Sequence, residues 1–450
     1  MDTQTENKMG TQPVGRLLFS MSLPIMISML VQALYNVVDS IFVAKISEDA
    51  LTAVSLAFPV QNLMIAIGAG TGVGINALLS RSLGEKNTER ANYAANNGLF
   101  LVLPEWLIFV IFGLLFVDVF FNSQTKDPVI LDYGRQYLSV VCLFSLGLFS
   151  QMTVEKLLQG TGKTVFSMYT QALGAVINII LDPCFIFGLG FFPKLGVRGA
   201  AVATIFGQCS AAALGLFFNV KFNKEIIISP LRYKPRAEMI GKIYAVGLPS
   251  IIMQSIGSVM TFGFNKILMS FSKTAVAVFG VYFKLQSFIF MPVFGLNNGL
   301  IPIMAYNFGA KKKERITGTL KYAFLYAGVI MAAGTLIMHI FPRQLLGFFE
   351  AGPKMLEIGI PALRIISTHF VVAAFGIMLS STLQALGHGI YAMLMSFTRQ
   401  LVVLLPAAYL LSKFGGLNTI WWAFLIAEFF SVLIGGISFR KVKRTEIDTL

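Results

Sequence analysis

Of the 450 residues only 12% are charged and 56% are hydrophobic, and the mean hydropathy of +0.75 excludes a water-soluble globular domain. A net charge of +14 could suggest a nucleic-acid partner, but Lys and Arg are concentrated in alternate short loops instead of one patch, which excludes that class. The apolar runs are each 20 to 30 residues long, the length of spanning helices and not of the short alternating segments of a membrane β-barrel.

The polar start MDTQTENKMGTQP leads straight into the first apolar run, without the basic stretch, short apolar core and cleavage site of a signal peptide, so no cleaved leader is expected. Twelve spans are predicted near residues 16–44, 51–80, 92–118, 133–159, 165–190, 198–220, 242–270, 275–306, 318–341, 357–386, 391–412 and 417–439. The basic loops are those with Arg81, Lys86 and Arg90; with Lys221 to Lys242; with Lys311, Lys312, Lys313 and Arg315; and with Arg440 to Arg444. By the positive-inside rule these loops and both termini are cytoplasmic.

The first span contains 32-QALYNVVDSIFVAK-45, in which Asp39 is an isolated charge six residues from Lys45, hence roughly 9 Å inward from the outer end. Tyr35 and Asn36 are expected on the same helix face as Asp39. In the second span, 68-GAGTGVG-74 lacks dinucleotide-binding spacing but pairs Gly68 with Gly72 and Gly70 with Gly74, which lets helix backbones approach closely. The fourth span ends on 160-GTGKT-164, which resembles a phosphate loop but has Leu157 where that motif needs glycine, so it is expected to be an interfacial turn.

In the fifth span, 178-NIILD-182 places Asn178 and Asp182 one turn apart, and in the sixth Thr204 comes to a depth similar to that of Asp39. Two carboxylates with Asn and Thr oxygens at one depth suit a hard monovalent cation such as Na⁺ or a shared proton; no other metal site and no cofactor is expected. Cys142, Cys184 and Cys209 lie within spans without ligand spacing and are expected to be ordinary buried residues. No role is assigned to His339, His369 or His388, and no nucleophile and base stand at workable spacing, so an enzyme is not expected.

The two halves match at one offset of 225 residues. Leu23-Pro24 pairs with Leu248-Pro249, Gln61 with Gln286, Gly70 with Gly295, Gly74 with Gly299, and Leu158-Gln159 with Leu383-Gln384. Six spans per copy keep the copies parallel, giving two six-helix lobes suited to alternating access: residues 1–220, a cytoplasmic linker 221–241, and 242–450. The second copy replaces Asp39 by Phe264, Asn178 by Val403 and Asp182 by Ala407, so the fold does not require the carboxylates. Gln32, Gln61, Gln254, Lys284, Gln286 and Glu428 are candidates to line a substrate cavity between the lobes. Glu155 and Lys156 are expected to snorkel or pair near the cytoplasmic end of their span.

The motifs 22-SLPIMISMLVQALYNVVDSIFV-43, 83-LGEKN-87, 158-LQGTGK-163, 178-NIILDP-183, 196-GVRGAAVAT-204 and 415-GGLNTIWWAF-424 together resemble the MATE (multidrug and toxic compound extrusion) family, most closely its bacterial MepA-like and DinF-like branches. The resemblance implies an all-α, twelve-helix transporter of the bacterial cytoplasmic (inner) membrane that exports cationic lipophilic compounds by antiport with H⁺ or Na⁺. It also implies a cation site in the N-terminal lobe at positions matching Asp39, Asn178, Asp182 and Thr204. NorM-like members carry acids on helices 7 and 10, where this chain has Gln254 and no acid, so coupling is expected in the N-terminal lobe alone. The superfamily also contains flippases for lipid-linked sugars, which present several cations to the cleft. Here Lys284 and Arg399 stand against Asp39, Asp182 and Glu155, which favours a cationic substrate and leaves flipping as the alternative. A monomer is expected.

Overall fold

The computed structural model describes residues 7–349 and 351–450. The first six residues of the polar N-terminal stretch lie outside the described residues. All regular elements among the described residues are helices, as expected where lipid offers the backbone no hydrogen-bond partner.

The first six helices of membrane length are α1 (Val14–Ala44), α2 (Glu48–Gly84), α3 (Thr88–Leu115), α4 (Pro128–Leu143 with Leu146–Gly160), α5 (Thr164–Phe187) and α6 (Val197–Lys221). The second six are α7 (Ala237–Met269), α8 (Lys273–Gly309), α9 (Lys313–Ile340), α10 (Pro353–Ser367 with Phe370–Ala385), α11 (Gly389–Phe414) and α12 (Leu417–Ile447). Ten are long and apolar enough to cross a bilayer alone, and counting each bent pair, α4 and α10, as one span gives twelve.

The duplication is visible in backbone detail. Ser47 caps the start of α2 by accepting from the Ala50 N–H at 3.0 Å, and Ser272, its partner at the 225-residue offset, caps α8 by accepting from Ala275 at 3.1 Å. Lys86 and Lys311, again partners, both take positive φ (57° and 56°) in the turns that follow those helices. Gly162 (φ 85°) and Gly387 (φ 93°) do the same after α4 and α10. The first of these turns is 160-GTGKT-164, which joins two helices as expected and follows no strand.

Sequence reads α4 and α10 as single runs, yet each bends by 46°. Neither break has a proline; at each, a hydroxyl shares a carbonyl that a backbone N–H also uses. Ser145 Oγ donates to the carbonyl of Cys142 at 2.9 Å, and Thr368 Oγ1 donates to that of Ile365 at 2.6 Å.

The chain forms two compact units, one of residues 27–247 and one of residues 1–26 with 248–450. The boundaries therefore fall inside α1 and α7, beside the repeat partners Pro24 and Pro249, and not in the loop 221–241. That loop is a strap on α3 within the first unit. Asn92 Oδ1 accepts from the Ile227 N–H at 2.7 Å, Asn96 Oδ1 from Ser229 at 2.8 Å and Asn97 Oδ1 from Arg236 at 2.7 Å. Within the other unit, Asn307 Nδ2 and Arg315 Nη2 each donate to the carbonyl of Met9 at 3.0 Å, so the segment before α1 is tied to the α8–α9 turn.

Candidate functional site

The first unit gathers its intramembrane polar groups where α1, α5 and α6 meet. Small residues make that meeting close: a Cβ on Gly207 of α6 would lie 2.6 Å from the Gly174 carbonyl oxygen of α5, and one on Gly199 would lie 2.5 Å from the Phe185 oxygen. With the helices in backbone contact, Asn178 (3% exposed) of α5 reaches Thr204 of α6. The amide orientation that satisfies its neighbours has Asn178 Nδ2 donating to Asp182 Oδ2 at 3.2 Å, while Oδ1 accepts from the Thr204 N–H at 3.2 Å and Oγ1 at 3.1 Å. Asp182 is fully buried, and the next residue, Pro183, cannot donate to the carbonyl of Ile179.

Asp39 of α1 closes the cluster. Its carboxyl and that of Asp182 are within hydrogen-bonding reach of each other, and each keeps a buried Oδ1 without a partner. No ion pair among the described residues involves either acid. Two full negative charges about 4 Å apart would repel by about 4 kcal/mol at an effective dielectric constant of 20. Direct contact is therefore compatible with one proton shared between the two carboxyls, or with a bound cation held by the pair.

Tyr35 stands close enough to feel the charges of Asp39, Asp182 and Glu155. Asn36 does not join the cluster; it is exposed, because three residues of helix turn it to the opposite side of Asp39 from Tyr35. Gln61 Nε2 donates to the Tyr137 hydroxyl at 3.0 Å, and Tyr137, 3% exposed, also feels Asp39 and Asp182. Gln32 accepts from Gln171 Nε2 at 3.3 Å. Tyr137 is the residue that sequence reading misses. Its one signal is the apolar repeat partner, Ala362, since an aromatic residue in a span otherwise looks like packing. Glu155 does not snorkel: it is buried, accepting from Gln151 at 3.0 Å and Thr170 at 3.2 Å, while Lys156 donates to Gln159 at 3.1 Å.

The remaining candidates lie in the other unit. Gln254 and Lys284 are exposed there, Lys284 with its ammonium 5.8 Å from the centre of the Phe349 ring. Gln286 holds a buried Oε1 without a partner. Glu428, 4% exposed, is paired with Arg399, whose Nη1 donates to Oε1 at 2.6 Å; Arg399 lines a cavity of about 110 Å³ together with Ser380, Ser381, Gln384, Ser396 and Ser431, among others. Of the three cysteines only Cys142 is buried; Cys184 is intermediate and Cys209 exposed, and all are free. No cluster of three or more potential metal ligands of the His, Cys, Asp or Glu type occurs among the described residues.

Comparison with known proteins agrees with this architecture. The profile of the family described as MatE matches twice, over residues 24–184 and 249–410, the starts being one repeat offset apart. A protein named "Multidrug export protein MepA" from Staphylococcus haemolyticus (strain JCSC1435) is 29% identical over 411 residues, 90% of this chain and 89% of that protein. The protein of the same name from Staphylococcus aureus (strain MRSA252) is 26% identical over 417 residues, covering 92% and 91%. A solved structure titled "Outward-facing conformation of a multidrug resistance MATE family transporter of the MOP superfamily" superposes with a TM-score of 0.91 at 26% identity, over 99% of this chain and 100% of that one.

Proposed function

The chain belongs to the MatE family of membrane transporters, and from that premise we propose that it exports cationic lipophilic compounds in exchange for protons, by alternating access of its two repeats. The observation that carries the reading is the contact between the half-buried Asp39 and the buried Asp182, two carboxyls with no basic partner among the described residues. A proton shared by the pair leaves one negative charge, which Asn178 stabilises by donating to Asp182 Oδ2. A bound cationic compound and that proton then compete to balance the same negative charge, so binding the one favours losing the other, which is the coupling an antiporter needs. The relatives named MepA support multidrug substrates. The alternating basic loops support insertion in the bacterial cytoplasmic (inner) membrane with both termini cytoplasmic.

The test is reconstitution in liposomes loaded with a fluorescent organic cation, with proton and sodium gradients imposed separately. The expected result is cation movement driven by the proton gradient, and its reduction by at least about 10-fold in Asp39→Asn, which keeps shape but holds no exchangeable acid proton. Movement driven by sodium alone would replace the proton by Na⁺ at the same residues. Undiminished movement by Asp39→Asn would remove Asp39 from coupling.

A further inference from the structure

Glu105 of α3 is a further buried acid of the first unit, 3% exposed and apart from Asp182 and Glu155. Its Oε1 accepts from Thr71 Oγ1 of α2 at 2.6 Å, and its carboxyl lies within hydrogen-bonding reach of the phenol of Tyr244 near the start of α7. Among the described residues no charged group acts on it: α2 presents Thr71, α7 presents Tyr244, and α4, which also packs on α3, brings no ionisable side chain to it.

These residues flank a seam where α2 and the N-terminal end of α7 touch backbone to backbone. A Cβ on Gly74 would lie 2.1 Å from the Ile243 carbonyl oxygen and 3.2 Å from the Gly247 nitrogen, and one on Gly247 would lie 3.2 Å from the Gly70 oxygen. The other unit has its own version, in which a Cβ on Gly299 of α8 would meet Ser22 Oγ of α1 at 2.3 Å and one on Gly295 would meet the Met26 Cα at 2.7 Å. The repeat partners of Thr71, Glu105 and Tyr244 there are Leu296, Ile330 and Phe19. Glycine packing therefore makes the seam without polar groups, and the acid with its two hydroxyl neighbours is an addition confined to the first unit.

We propose that Glu105 is a positioning residue of the transport cycle: as a neutral acid it holds residues 237–247 of α7 on α2 through Tyr244, and on giving its proton to water it releases them. An ionised Glu105 in the docked arrangement would be a buried charge without a counter-charge, which costs several kcal/mol. Water admitted by parting Tyr244 from the carboxyl relieves that cost. Residues 237–247 belong to the first unit while the rest of α7 belongs to the other, so this contact pins one end of a helix that both units share.

Hydrogen–deuterium exchange of residues 237–247, in the full-length protein in lipid nanodiscs at about pH 6 and about pH 8, tests the proposal. After correction for intrinsic exchange, the wild type is expected to exchange about 10-fold faster at the higher pH, a change in local opening that residues 14–26 do not share. Glu105→Gln, which keeps shape and hydrogen bonding, should be slow at both pH values; Tyr244→Phe should be fast at both. A pH response in Glu105→Gln equal to the wild type's, or none in the wild type, overturns the proposal. The role in the cycle rests on the proposed function, but the measurement uses no substrate, so a failure of drug export leaves its outcome unchanged.

Discussion

At Asp39 and its repeat partner Phe264 the same register holds opposite chemistry. Phe264 is fully buried among Phe279, Phe424 and Trp421, with ring centres 4.6, 5.0 and 6.1 Å away, so the second copy fills with rings the place where the first holds an acid. Asn178 supplies the proposed pair with a hydrogen bond and bridges Asp182 to α6. Asn178→Ala would leave Asp182 Oδ2 and the Thr204 N–H without that partner, a cost of about 1–3 kcal/mol. The expected outcome is a lower melting temperature in detergent and proton-driven export slowed by about 10-fold; unchanged export would detach Asn178 from the pair. Asp39, Asn178 and Asp182 are legible in sequence because charge or amide inside a twenty-residue apolar run is costly, and because the second repeat dispenses with all three. Asn36 and Tyr137 are not. Helix phase to within 60° decides whether Asn36 faces in or out, and nothing in an isolated span distinguishes a packing tyrosine from one beside an acid.

The decisive element contact is the crossing of α5 and α6 at Gly174 and Gly207. Thr204 stands one turn from Gly207, so the distance between backbones sets whether Asn178 can reach it. Gly207→Leu is expected to force the helices apart, costing about 1–3 kcal/mol or more and weakening both stability and export. Gly280→Ala, where a Cβ meets nothing within 4 Å, is the control and should leave the melting temperature equal or slightly higher. A Gly207→Leu protein as stable and active as that control would show that close approach is not what assembles the cluster. Span lengths are legible because hydropathy measures them directly; the bends in α4 and α10 are not, since Ser145 and Thr368 become helix breakers only through the carbonyls they happen to capture.

Across the whole molecule the duplication is the most legible feature, carried by Pro24 with Pro249 and by Gly74 with Gly299. Where α1 and α7 divide between units is not legible, because it follows from the glycine seams and from straps such as residues 221–241 on Asn92, Asn96 and Asn97. In the proposed mechanism the repeat is the scaffold for two-state motion, and the carboxyl pair supplies the exchange that drives it. The measurement that tests this most directly is the release of protons from the purified protein in weakly buffered solution when a cationic compound is added. The wild type is expected to release about one proton per compound bound, and Asp39→Asn and Asp182→Asn to release none while still binding the compound. Equal proton release from either variant, or binding by the wild type without any release, would contradict the account.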